Sequence, residues 1–157
     1  MRLLLLVFAS AALLCPVAAT AEHATPTESD GTLVVRNGTG YVSIWGRGVI
    51  VGRFDRGTLI ITDPVADDGP PASVVGADHF HDLPGTKALW QGSDVTFKMI
   101  GGTYRIRFRG TGLDASAVGK GSLWLNGDGA RDGRFSLDGG PFISLPDIFS
   151  GPFSFGG

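Results

Sequence analysis

Between Gly57 and Asp63 the side chains change sides at each step, Leu59 and Ile61 falling one way and Thr58 and Thr62 the other. The same period of two returns 64 positions later, where Leu123 and Leu125 oppose Ser122 and Asn126. Such alternation belongs to a strand with one buried face. Extended backward, the comparison sets Gly46–Asp63 against Gly110–Gly127. Gly46, Gly48, Gly57 and Leu59 meet identical residues, and Val49, Phe54, Arg56, Thr58, Ile60 and Ile61 meet similar ones. Each unit reads as a strand, a glycine corner and a second strand, and the pair predicts a β domain with pseudo-two-fold symmetry. Composition offers a competing explanation, because 25 glycines make chance glycine matches frequent.

A second alternating stretch surrounds Gly101-Gly102. Val95, Phe97, Met99, Tyr104, Ile106 and Phe108 share one side; Asp94, Thr96, Lys98, Arg105, Arg107 and Arg109 share the other. Read as a two-residue turn, the glycines predict a hairpin with Met99 opposite Tyr104, Lys98 opposite Arg105 and Asp94 opposite Arg109. Asn37-Gly38, between TLVVR and TGYVSIW, predicts another hairpin. Further strands are expected at 49–54, 58–63, 73–76, 87–91, 134–137 and 142–145. Loops are expected at 63–71 and 126–133, and an irregular stretch at 77–86. The terminal DIFSGPFSFGG is expected to lay its phenylalanines on an open sheet edge or barrel mouth.

Together these segments predict an all-β, small single domain of about 8–11 short antiparallel strands, a sandwich or a barrel. No helix beyond a turn or two is expected. Strands this short fall below the roughly 9–11 residues of a transmembrane barrel.

The first residues stand apart from this pattern. Arg2, the apolar run Leu3–Leu14 and the small residues Ala19 and Ala21 predict a signal peptide over 1–21. A polar, flexible lead-in over 22–30 follows, and the β domain spans 31–157. Pro16 and the shortness of the apolar run argue against a retained anchor, so no transmembrane span is expected after leader removal. Cys15, the only cysteine, lies inside the leader, which leaves the exported chain without disulfide, thiolate or cysteine-zinc chemistry. The net charge of −2 becomes −3 once Arg2 is removed, too mild and of the wrong sign for nucleic acid as a partner.

Candidate chemistry is sparse. Lys98, Arg105, Arg107 and Arg109 form a row suited to phosphate, carboxylate or an acidic polymer, and equally to a solvated face. His79 and His81, flanked by Asp78 and Asp82, would project from one side of an extended chain about 7 Å apart, a spacing metal sites use. Two ligands do not close a structural site, so no cofactor is expected unless a divalent metal binds there. Asn126–Gly133 resembles a calcium loop only loosely, with Ala130 at a ligand position, Arg131 beside it and no closing glutamate. GxSxG and phosphate-cradling glycine motifs are absent, and no catalytic residue is assigned.

The strand RGTLIITDP, followed in the second half by YRIRFRGTGLDASAVGKGSLWLNG, resembles a group of short exported proteins of high-GC bacteria over about Gly31–Gly127. The resemblance implies an all-β secreted domain and carries no activity, ligand or site residue. The expected function is a non-enzymatic binding or structural module, secreted or at the cell envelope. Its partner would be an acidic envelope polymer or another envelope protein. The alternative is a small metal-dependent hydrolase using His79 and His81.

Overall fold

The structure, a computed structural model, describes residues 30–65, 67–129 and 133–157. The expected signal peptide, all of the lead-in but Asp30, and the centre of the calcium-like loop lie outside these residues. The protein is all-β. Six strands build one antiparallel sheet: β1 Gly31–Thr62, β2 Ser73–Leu83, β3 Lys87–Gly127, β4 Arg134–Leu137, β5 Ile143–Ser144 and β6 Ser150–Phe155. Two strands of 32 and 41 residues therefore stand where many short ones were expected.

The long strands pair with each other along both edges. Ile106 of β3 lies between Ile44 and Ile61 of β1, and Ile44 in turn lies between Ile106 and Leu123. One crossing of the sheet thus runs β2, β3, β1, β3, β1, β3 and β6, through His81, Leu89, Ile60, Arg107, Ser43 and Trp124 before reaching β6 beside Leu123 and Leu125. At the other end β4 joins β1, with Leu33 opposite Leu137, and β5 joins β4. Among the described residues no pairing closes the sheet.

This pairing corrects both expected hairpins. A turn at Gly101-Gly102 would have to pair residues 95–99 with 104–108, yet Phe97 is already held by Gly52 and Val74, and Ile106 by its two isoleucines. The chain runs straight on, and the two glycines, at φ 76° and 75°, face the single residue Gly48 as a β-bulge. Asn37 (φ 48°) plays the same part where the register shifts between Val35 and Gly38. Positive φ serves a bulge as well as a turn, and a bulge bends a strand without reversing it. The segment 77–83, expected to be irregular, belongs to β2 because Phe80 pairs with Trp90 and His81 with Leu89.

Bulges leave backbone groups without ladder partners, and carboxylates take them up. Asp114 accepts the Asn37 N–H at 2.8 Å, and Asp68 accepts the Thr103 N–H at 2.7 Å just past the glycine bulge. Asp138 accepts from both Thr32 N–H (2.9 Å) and Gly156 N–H (3.2 Å), tying the start of β1 to the end of β6.

Burial follows the alternation. Leu59, Ile61, Val95, Phe97, Met99, Tyr104, Ile106, Phe108, Leu123 and Leu125 all lie in one buried cluster. No helix among the described residues covers this face, so it is buried between strands of the same sheet. Phe97 and Phe108 meet edge to face at 5.3 Å, and Phe135 of β4 reaches Phe153 of β6 at 5.2 Å although those strands do not pair. Of the three terminal phenylalanines, Phe155 is fully buried, Phe153 packs against the core and Phe149 is exposed.

Tyr104 is the one misfit inside. Fully buried opposite Gly46, its hydroxyl has no hydrogen-bond partner, and burial pushes its pKa up to about 12. An unpaired buried hydroxyl costs about 1–3 kcal/mol, so Tyr104→Phe should stabilise the fold by about 1 kcal/mol near neutrality. The folded phenol holds its proton more tightly than the unfolded one, whose pKa is about 10. Tyr104's stability contribution is therefore complete below about pH 10 and lost, at about 1.4 kcal/mol per unit, as pH rises towards 12. Urea melts at neutral pH and near pH 11 check this: the gain from phenylalanine should grow with pH. An equal or smaller gain at the higher pH would count against the burial argument.

Candidate functional site

The outward side of the sheet is fixed by what lies inside. Because Ile106 and Phe108 are buried, Arg105, Arg107 and Arg109 project outward, and two-residue steps along a strand space them about 6.6–7 Å apart. Their cross-strand partners follow from the ladder: Thr62 and Trp45 flank Arg105, Ile60 and Ser43 flank Arg107, and Thr58 and Tyr41 flank Arg109. One strand further, Ser122, Trp124 and Asn126 complete the rows. None of these twelve positions carries Asp or Glu, although the whole chain has net charge −2.

Among the described residues none of the three arginines forms an ion pair. Among the described residues the ion pair formed is Arg53 Nε to Asp114 at 2.9 Å, elsewhere on the sheet. There the hydrogen bond and charge of Asp114 hold the Arg53 guanidinium above its ordinary pKa. By contrast Arg107 Nε is buried without a hydrogen-bond partner, as is Thr62 Oγ1 in the adjoining row. Arg105 lies over the Trp45 ring, 5.9 Å from its centroid, a cation–π contact. Ser43 is only 4% exposed despite its outward side, bracketed by Arg107 and Trp124.

The face is hollowed. A depression of about 430 Å³ is lined by Tyr41, Thr58, Ile60, Arg107, Phe108 and Arg109. A second, of about 260 Å³, is lined by Tyr41, Arg109, Asn126, Asp128 and Phe149. Tyr41 and Arg109 line both, so the two are neighbours on the face. Phe149 leans on Tyr41 with ring centroids 6.0 Å apart.

Lys98 does not join this face. The expected hairpin placed it opposite Arg105, but its partners are Val51 and Ser73, and seven residues of extended strand put it roughly 20 Å away. Asp94 is likewise not opposite Arg109; it has φ 55°, and Arg109 pairs with Tyr41 and Thr58.

His79 and His81 lie on the outward side of β2, in the rows of Arg109 and Arg107, since the intervening Phe80 follows Trp90 and Leu59 inward. Both are exposed. His79 borders a depression of about 290 Å³ together with Asp78, Arg56 and Ser93. Among the described residues no group of three or more potential metal ligands is found. Residues 130–132 of the calcium-like loop lie outside the described residues.

Sequence reasoning found the arginines and missed their neighbours Tyr41, Trp45, Thr58, Thr62, Trp124 and Asn126. A signal was present: Arg105, Arg107 and Arg109 stand 64 positions after Tyr41, Ser43 and Trp45, and Ser122, Trp124 and Asn126 stand 64 after Thr58, Ile60 and Thr62. The repeat spacing alone collects all four strands of the face.

Fold and site together define an all-β domain with a row of three arginines on one sheet face. No protein-family model, curated protein or solved structure matches the chain.

Proposed function

We propose that the protein is an exported, non-enzymatic binding module that takes an anionic polymer of the cell envelope or exterior on the face of Arg105, Arg107 and Arg109. The observation that carries this reading is the row itself: three guanidiniums without a carboxylate partner among the described residues, one with a buried, unpartnered Nε. A face that served only solubility would gain nothing from setting three guanidiniums in one row, where they repel one another until an anion lies across them. Export rests on the expected signal peptide; among the described residues no helix is long and apolar enough to cross a membrane.

We also read the chain as an internal duplication. Exchanging residues at the 64-residue spacing carries the pair Gly46 and Tyr104 onto Gly110 and Gly40, and the pair Gly57 and Gly110 onto Gly121 and Gly46, all of them partners in the sheet. On this reading the binding face sits on the pseudo-two-fold, its arginines on one copy and Tyr41 and Trp45 on the other.

Retention of the purified protein on an anionic matrix tests the function. Binding should be evident at low ionic strength and fall as salt screens the contacts. Flow-through at low salt would dispose of the reading. The second reading, a metal-dependent hydrolase using His79 and His81, draws on the depression that His79 shares with Asp78 and Ser93. It would displace the first if the purified protein held stoichiometric metal that disappeared in His81→Ala.

A further inference from the structure

The anion-binding face has features that charge alone does not call for, and they narrow the ligand. Resting on that reading, we propose that the groove centred on Arg109 and Tyr41 binds an acidic polysaccharide in which carboxylate-bearing sugars alternate with neutral ones.

Three observations converge on a sugar chain. The first is the mixture of side chains: beside the arginines stand the hydroxyl of Thr58, the amide of Asn126 and the aromatic rings of Tyr41 and Trp124. Guanidinium forks match carboxylates bidentately, hydroxyl and amide groups exchange hydrogen bonds with sugar hydroxyls, and aromatic faces take the apolar C–H faces of pyranose rings. A polyphosphate would use the cations and leave the rest idle.

The second is shape. The two neighbouring depressions, about 430 and 260 Å³, share Tyr41 and Arg109, a spacing that suits successive units of a chain. Arg107 and Arg109 line a depression and not a flat surface, so a chain that enters it meets them better than a flat lipid surface does.

The third is Asp128, the acid that lines the second depression. A carboxylate there repels a charge carried on every unit and accepts a hydrogen bond from a neutral sugar's hydroxyl. Cationic and acidic ends on one groove select alternating charge.

Titration of the purified protein, followed through its tryptophan fluorescence and by calorimetry, tests this with four probes. These are oligosaccharides alternating glucuronate with N-acetylglucosamine, the same oligosaccharides with carboxyls reduced to alcohols, polyphosphate of similar length, and phosphatidylglycerol vesicles. The alternating acid should bind at least tenfold tighter than the reduced form and than polyphosphate. Tyr41→Ala should weaken the oligosaccharide about tenfold, a larger loss than it causes for polyphosphate. Asn126→Ala, a milder surface change, should weaken it severalfold, and Asp128→Lys should raise polyphosphate affinity while lowering that for the alternating chain. Equal or tighter binding of polyphosphate or vesicles, with Tyr41→Ala and Asn126→Ala silent, would overturn the proposal and leave the anionic face standing. Absence of binding to every polyanion would remove the reading beneath it as well.

Discussion

Gly119→Ala should unfold the domain or come close to it. Gly119 is buried opposite Gly48 on one edge and Gly31 on the other, with φ 144°, a backbone conformation that essentially only glycine holds. A single added Cβ would overlap the carbonyl oxygen of Arg47, and one at Gly48 would overlap that of Val118. Neither obstacle is a side-chain tip that can turn away, because both belong to ladders that hold β1 and β3 together. Backbone strain of about 1–3 kcal/mol and an overpacking cost of similar size bring the expected loss to about 4 kcal/mol, a large part of a domain's stability. Gly85→Ala is the control: its φ is 79° but nothing lies within 4 Å, so it should lose only about 1 kcal/mol. Urea denaturation of the three proteins checks both values. A Gly119→Ala protein as stable as Gly85→Ala would mean that the close pairing of β1 and β3 is wrong.

Reversing Arg107 and Arg109 to glutamate should lower affinity for a soluble polyanion at least a hundredfold at low salt. Charge-assisted contacts are worth about 1.5–3 kcal/mol each, and like charges placed on the ligand's path add repulsion. Lys98→Glu changes net charge by the same amount per residue at a place roughly 30 Å along the strand, and should cost less than about threefold through long-range field alone. The contrast separates a local site from the general charge of the molecule. Similar losses in both proteins would mean that no particular row binds.

The inward-facing residues of the two alternating stretches were legible, because a period of two survives any error about where a strand ends. Every apolar residue assigned to one side of the 95–108 segment is buried, and Leu59, Ile61, Leu123 and Leu125 follow. The topology was not legible. Asn37-Gly38 and Gly101-Gly102 carry the signature of a reversing turn, and only the distant partners that occupy both edges of β1 and β3 decide for a bulge. The glycines assigned to corners instead mark where two backbones approach too closely for a side chain, as at Gly48 and Gly119.

The same error split the candidate site. Folding Lys98 against Arg105 in a local hairpin added a charge that belongs elsewhere and hid the residues that flank the arginines. Tyr41 and Trp45 lie some sixty residues from their arginine partners, beyond the reach of local pattern, and only the repeat spacing pointed to them. His79 and His81 were read as a loop because the polar DHFHD segment lacks a clean alternation; Phe80, half exposed, takes its place inward through Trp90 alone.

Amide chemical-shift mapping during titration with a soluble acidic oligosaccharide is the most direct test of where ligand binds. Saturable shifts should concentrate in Tyr41–Trp45, Thr58–Thr62, Arg105–Arg109 and Ser122–Asn126, with Lys98 and Lys120 unmoved. Shifts centred on Lys98, or scattered over every exposed cation without saturation, would contradict a binding site on the arginine face.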